Sequence, residues 1–130
     1  MGSESVADVV SRLGAAASID EALAELAVRT RRTTSRPGEL AKAVAEGTVI
    51  KVLVFCESLH YLAAQDGGMY LALRSESRQW ELPSWVQHYG LTPAGWPDFR
   101  AAVRGELAEG PLTVVELGEA LTRHSAYRHL

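Results

Sequence analysis

Arg29, Arg31, Arg32 and Arg36 place four guanidinium groups within eight residues. Such groups present paired N–H donors that match phosphate oxygens, and on a loop leading into a helix they would fix the register of a docked polyanion. Lys42 and Lys51 follow as further electrostatic contacts. The ligand this set would take is duplex DNA, gripped by its backbone. Lys42 is a fair phosphate or base contact, but Glu39 and Glu46 flank it on the same segment and would repel the backbone, so sequence-specific readout is not expected. The alternative reading of the arginines is a solvated loop that offsets the acidic segment before it.

Groups suited to catalysis are sparse. Asp20 is the sole carboxylate in the stretch 15–20, where it could act as a base or simply complement a helix N-terminus. His60 sits between Leu59 and Tyr61 in a β-branched, aromatic context that suits a structural hydrogen bonder better than an acid or base. His124 and His129 are spaced wrongly for one helical face, and with Cys56 as the single cysteine no zinc pattern exists. No cofactor or metal is expected. Trp80, Trp85, Tyr89 and Trp96 could stack bases, but their spacing around a proline-broken helix fits core packing better.

The elements that would position these residues follow from periodicity. Val6, Val9, Val10 and Leu13 form one helical face that ends at Gly14. Ser18 with Glu21 reads as a capping box opening a second helix, with Ile19, Leu23, Leu26 and Ala27 as its buried stripe. After the arginine loop, Pro37 suits the start of a third helix with Leu40, Ala43 and Val44 inward, stopped at Gly47. From Thr48 to Phe55 the pattern turns β-branched, and Ser58 to Ala63 pairs with it through a tight Cys56-Glu57 link. Three helices and then a β-hairpin is the winged-helix order, with helices two and three as the helix-turn-helix.

Beyond residue 63 the chain reads as helical again: a segment over Asp66–Arg74, an aromatic helix stopped by Gly90, and another starting near Pro97 with Phe99, Val103 and Leu107 inward. Thr113 with Glu116 makes a further capping box, and Ser125 could cap one more helix, giving the start of a second helix-turn-helix that is cut off at Leu130. The fold expected is therefore α+β and mostly helical, with a winged helix over 1–63 and a helical extension over 64–130, packed as one domain. The cut-off suggests an excised fragment or a protein that lost its second half.

The bulk properties agree. A chain of 130 residues with 47% hydrophobic and 22% charged side chains is ordinary globular material. The formal charge of -3 weighs against nucleic-acid binding unless cations are segregated. One cysteine, no signal segment and no long apolar run point to the cytoplasm, away from membranes.

Taken in order, several segments bear a family likeness: Val9 to Gly14, Arg29-Thr30, Ala43 to Gly47 with Val49 to Lys51, Ser58 to Asp66, Gly110 to Thr113 with Glu116-Leu117, and Ala126 to Leu130. The chain resembles the bacterial AlkZ-like DNA glycosylases, winged-helix proteins that excise alkylated or crosslinked bases. The resemblance implies a Gln-x-Gln or Gln-x-Asp motif, just after the Arg-Leu-Gly segment, that positions the attacking water. Here that stretch is Ala15-Ala-Ala-Ser-Ile-Asp20, without glutamine, and the hairpin carries Cys56-Glu57-Ser58 where the family tends to carry an arginine and Gly-Thr. The expected function is non-enzymatic, weakly specific duplex binding through Arg29, Arg31, Arg32, Arg36, Lys42 and Lys51. The rivals are a protein-interaction scaffold, in which an apolar face meets a partner protein, and an active glycosylase using an atypical group such as Asp20 or His60; a missing C-terminal half is the other partner expected.

Overall fold

In the computed structural model, which describes residues 4–129, Ser5 opens the first helix, α1 (Val6–Leu13), with a complete capping box. Its hydroxyl accepts the Asp8 N–H while the Asp8 carboxylate accepts the Ser5 N–H, so two otherwise orphaned donors are satisfied. Residues 1–3 and Leu130, to which the sequence reading extended, lie outside the described residues. The chain divides into two compact units between Ser77 and Arg78.

The first unit runs α1, β1 (Ala16–Ala17), α2 (Glu21–Arg29), α3 (Glu39–Ala45), β2 (Val49–Leu53), β3 (Leu59–Ala63) and α4 (Ala64–Ser75). The order of three helices followed by an antiparallel hairpin is present as expected. β3 is central, pairing with β2 from Val49↔Ala63 to Leu53↔Leu59 and with β1 through Ala16↔Tyr61 and Ala17↔His60. The core joins Val9 and Val10 of α1, Val28 of α2, Leu40 of α3 and Val49 of β2, all shielded from water. The unit extends to Ser77 rather than closing at residue 63 because α4 packs back on the hairpin. Gly67 permits this: a Cβ there would fall 2.5 Å from Ile50 Cδ1.

Two details depart from the sequence reading. Strand β1 was not foreseen, and it moves the start of α2. Ser18 donates its backbone N–H to the Leu59 carbonyl (3.1 Å), continuing the β1–β3 ladder, and its hydroxyl is buried without a hydrogen-bond partner among the described residues, so it caps no helix. Asp20 is the cap instead, its Oδ1 accepting the Leu23 N–H at 3.0 Å. The buried face of α2 also differs. Ala24 and Val28 point inward, while Ile19, Leu23 and Leu26 are 89%, 64% and 52% exposed.

The hairpin turn is the other local peculiarity. Ser58 N–H donates to the Phe55 carbonyl (2.9 Å), and both residues between them, Cys56 (φ 46°) and Glu57 (φ 57°), are left-handed. This is the backbone of a tight hairpin turn with the favoured twist, built without the Asn or Gly that adopts it at least cost.

The second unit holds α5 (Pro83–Tyr89), α6 (Trp96–Glu106) and α7 (Val114–Thr122). Gly90 terminates α5 in the left-handed region, and Pro97 sits in the first turn of α6, where its missing N–H costs nothing. Pro93 lies apart in a short 3-10 turn, so the two prolines occupy separate elements as expected. Thr113 and Glu116 form the expected capping box. Phe99 and Val103 are half-buried, but Leu107 is exposed because α6 ends there. Ser125 begins a single 3-10 turn, Ser125–Tyr127. Among the described residues no helix is long and apolar enough to cross a membrane.

Candidate DNA-contacting surface and the motif strand

The six cations singled out in the sequence occupy different environments. Arg31, in the loop after α2, is exposed, its guanidinium donating to the Ala27 carbonyl at 2.8 Å. Arg36 is exposed on the same loop. Lys42 projects from α3, with Glu46 one turn on at 3.6 Å. These three can reach an external polyanion.

The other three are paired within the protein or withdrawn from solvent. Arg32 has a side chain only 9% exposed; it pairs with Glu39, and its Nε donates to the Glu4 carbonyl at 2.8 Å. It staples α3 and the loop to the segment before α1, and a guanidinium so committed is not presented to solvent. Arg29 is half-buried with its Nε shut off from water and unpartnered among the described residues. Lys51 on β2 lies 3.0 Å from Glu21 Oε1 and 5.5 Å from the centre of the Tyr61 ring. Spacing alone could not single out Arg32 and Lys51, because their partners, Glu4, Glu39 and Glu21, come from other elements.

The electrostatics follow these pairings. The Lys51 ammonium, hydrogen-bonded to Glu21, holds that carboxyl below its ordinary value and is itself raised. Glu39 is lowered chiefly by the Arg36 backbone N–H and then by the Arg32 guanidinium. Glu25 supplies a further feature that sequence reasoning missed: its two oxygens accept the N–H groups of Gly38 and Leu40, each at 3.1 Å. A carboxylate from α2 thereby caps α3, whose own N-cap, Gly38, has no side chain to do so.

Strand β1 carries the stretch where the resemblance places the water-positioning motif. Ala16 is buried and Ala17 exposed; Ser18 is buried, with a hydroxyl that has no hydrogen-bond partner among the described residues. An open cleft of about 490 Å³ runs alongside, lined by Leu13, Ala16, Ile19, Asp20, Leu23 and Arg31 among others. Its walls are chiefly aliphatic, and its one carboxylate, Asp20, is occupied in capping α2. His60 is next to β1 on β3. Its Nδ1 lies 3.1 Å from the Ser58 carbonyl oxygen, and its ring meets Phe55 edge-on at 5.2 Å, the surroundings of a structural histidine.

Residues 10–129 match the family model described as DNA glycosylase AlkZ-like, a span that takes in nearly every element above. The chain belongs to the AlkZ-like DNA glycosylase family. It is 31% identical over 113 residues to the interstrand DNA cross-link repair glycosylase of Streptomyces sahachiroi, an alignment covering 87% of this chain and 30% of that protein. The solved structure of the Streptomyces sahachiroi DNA glycosylase AlkZ matches with a TM-score of 0.81 at 29% identity, covering 98% of this chain and 35% of that one. The chain thus spans about a third of the length of these relatives. The match takes in both units apart from the first nine residues and Leu130, so the helical extension is as much a part of the family likeness as the sheet-bearing unit.

Proposed function

We propose that this chain is a winged-helix, duplex-DNA-binding member of the AlkZ-like family that does not itself excise bases. The observation that carries the second half of the reading is β1. Glycosidic hydrolysis needs a water held between a donor and an acceptor at the reacting carbon. Ala16 and Ala17 offer only methyl groups beyond the backbone, and the Ser18 hydroxyl is turned away from solvent. Asp20 lies close by but spends its carboxylate on the Leu23 N–H.

Family membership and the exposed cations Arg31, Arg36 and Lys42 support DNA contact. Arg32 leaves the contact set, because moving it would break a nearly buried ion pair. Glu39 and Glu46 border Lys42, so contacts confined to phosphates, with weak sequence preference, fit better than base readout. The proposed site of action is the cytoplasm, beside the bacterial chromosome.

Two measurements test this. Duplex affinity should fall steeply with salt, and Arg31→Ala with Arg36→Ala should weaken all sequences alike and shallow the log–log salt slope by about 2, one counterion per lost phosphate contact. In a base-release assay on alkylated and crosslinked duplex the chain should give background only. Clear turnover that vanishes in Asp20→Asn would install the enzyme reading, and no duplex binding at low salt would remove the DNA one. A second reading rests on Leu23 and Leu26 of α2 and on Ile19 just before it, whose exposure suits a protein partner. It gains if replacing Leu23 and Leu26 by serine leaves DNA affinity intact but alters the mass of the particle in solution.

A further inference from the structure

The second unit contains a cleft that neither the duplex contacts nor the motif strand uses. It has a volume of about 590 Å³, within the size range of small-ligand sites, and all its lining residues belong to this unit. Trp85, His88 and Tyr89 come from α5, Trp96 and Phe99 from α6, and His129 from the last described residues. Tyr89 is 48% exposed.

The rings are held in place by one another. Trp85 and Tyr89 lie 4.9 Å apart between centroids, and Trp96 meets Phe99 edge-on at 5.7 Å, with Phe99 in turn edge-on to Tyr127 at 5.2 Å. His129 is fixed by a contact between its Nε2 and the Gly90 carbonyl oxygen (3.2 Å), and it sits so close to Gly90 that a Cβ there would fall 2.7 Å from the imidazole. A ring pressed against bare backbone and pinned by its own nitrogen is a fixed wall.

Charge narrows the occupant. Among the described residues no side-chain carboxylate lines this cleft, whereas two imidazoles do, and the Arg100 guanidinium lies 5.7 Å from the centre of the Trp96 ring. The cleft beside β1 differs on both counts: its walls are largely aliphatic and include Asp20. Aromatic faces recognise planar heterocycles of any sequence by stacking, imidazole N–H groups can donate to an attached phosphate, and the nearby Arg100 guanidinium suits its charge. The combination fits a nucleotide and disfavours an acidic peptide, whose side chains offer no ring to stack, or a lipid tail, which gains nothing from imidazoles.

We infer that the cleft of Trp85, His88, Tyr89, Trp96 and Phe99 takes an unpaired base of a DNA strand, giving the chain a single-strand contact distinct from its duplex contacts. The site is independent of the Arg31 and Arg36 loop and stands or falls separately from the duplex reading.

All three tryptophans of the chain lie in this unit, so their fluorescence reports on it alone. The 130-residue chain should be titrated in moderate salt with a short oligothymidylate, with an abasic deoxyribose-phosphate strand of equal length, and with free thymidine monophosphate. Quenching is expected with oligothymidylate, and affinities about tenfold lower or worse are expected for the abasic strand and the mononucleotide. Tyr89→Leu should lower oligothymidylate affinity by about tenfold, while Tyr89→Phe, which keeps a stacking face, should restore it. If Tyr89→Leu fails to fold by circular dichroism, His88→Leu replaces it. Equal binding of the abasic strand would show that the phosphates alone are recognised and overturn the proposal. Equal affinity for the free mononucleotide would overturn the strand assignment, and Leu variants that fold and bind oligothymidylate unchanged would remove the cleft from the contact.

Discussion

In the first unit the side chains shut off from water are aliphatic and come from many elements: Val9, Val10, Val28, Val49 and Leu62 are at most 1% exposed. Among the described residues of the second unit the buried apolar ones are Leu91, Ala120, Leu121 and Tyr127, and the large rings of Trp80, Trp85, Trp96 and Phe99 are only half-buried. The first unit closes around a sheet whose β-branched residues interdigitate with helices. The second is held by edge-to-face rings, which tolerate gaps between them and leave faces open. Packing of the first kind specifies a scaffold, while packing of the second kind leaves a surface that can bind.

The sharpest test of that contrast is a pair of truncations. Leu62→Ala should cost about 2–5 kcal/mol, because a fully enclosed leucine leaves a cavity the sheet cannot collapse into. Leu121→Ala, at the margin of a looser cluster, should cost about half as much, measured by urea unfolding with circular dichroism following the whole chain and tryptophan fluorescence the second unit. Equal losses would erase the distinction between the two cores.

A smaller effect of opposite sign is expected at the hairpin. Cys56 and Glu57 hold left-handed backbone without the side chains that relieve it. The double substitution Cys56→Asn with Glu57→Gly should stabilise the first unit by about 1 kcal/mol, read as a shift in the urea midpoint at unchanged slope. A destabilised double variant would mean that the Glu57 or Cys56 side chain makes a compensating contact.

The smallest effect is acid sensitivity, since the groups concerned are at the surface. Asp8, Glu21 and Glu39 in the first unit, and Glu116 in the second, have carboxyls held below their ordinary values. Each binds its proton less readily folded than unfolded, so its contribution is present above about pH 4 and is lost as pH falls through the lowered folded value. Thermal melts between neutral pH and about pH 3 should show the loss, and Glu39→Gln should flatten it. A Glu39→Gln profile parallel to the parent's would place the acid response elsewhere.

What the sequence made legible was whatever rests on neighbours a few residues apart. Thr113 with Glu116, the stop at Gly90 and the start of α6 at Pro97 are local signals, and each is found where the residues put it. The α2 face differs from the sequence expectation because Ala22, Leu23, Ala24, Leu26, Ala27 and Val28 are apolar around most of the helix, so periodicity cannot choose a side. β1 was missed because alanines have little strand preference; its pairing is imposed by β3, more than forty residues on. The candidate site was half legible. Cationic character is written in the sequence, but which cations face outward depends on carboxylates brought from elsewhere by the fold, as Arg32 with Glu39 and Lys51 with Glu21 show.

Glu25 ties these levels together. By accepting the N–H groups of Gly38 and Leu40, it makes one carboxylate the mechanical joint between α2 and α3, with the arginine loop strung between them. A pull on that loop would be resisted by a charge-assisted clasp rather than absorbed by a free helix end. The pitch at which α3 presents Lys42 is then set in part from α2, and an apolar side chain at position 25 would loosen that end of the helix without removing a single outward-facing cation.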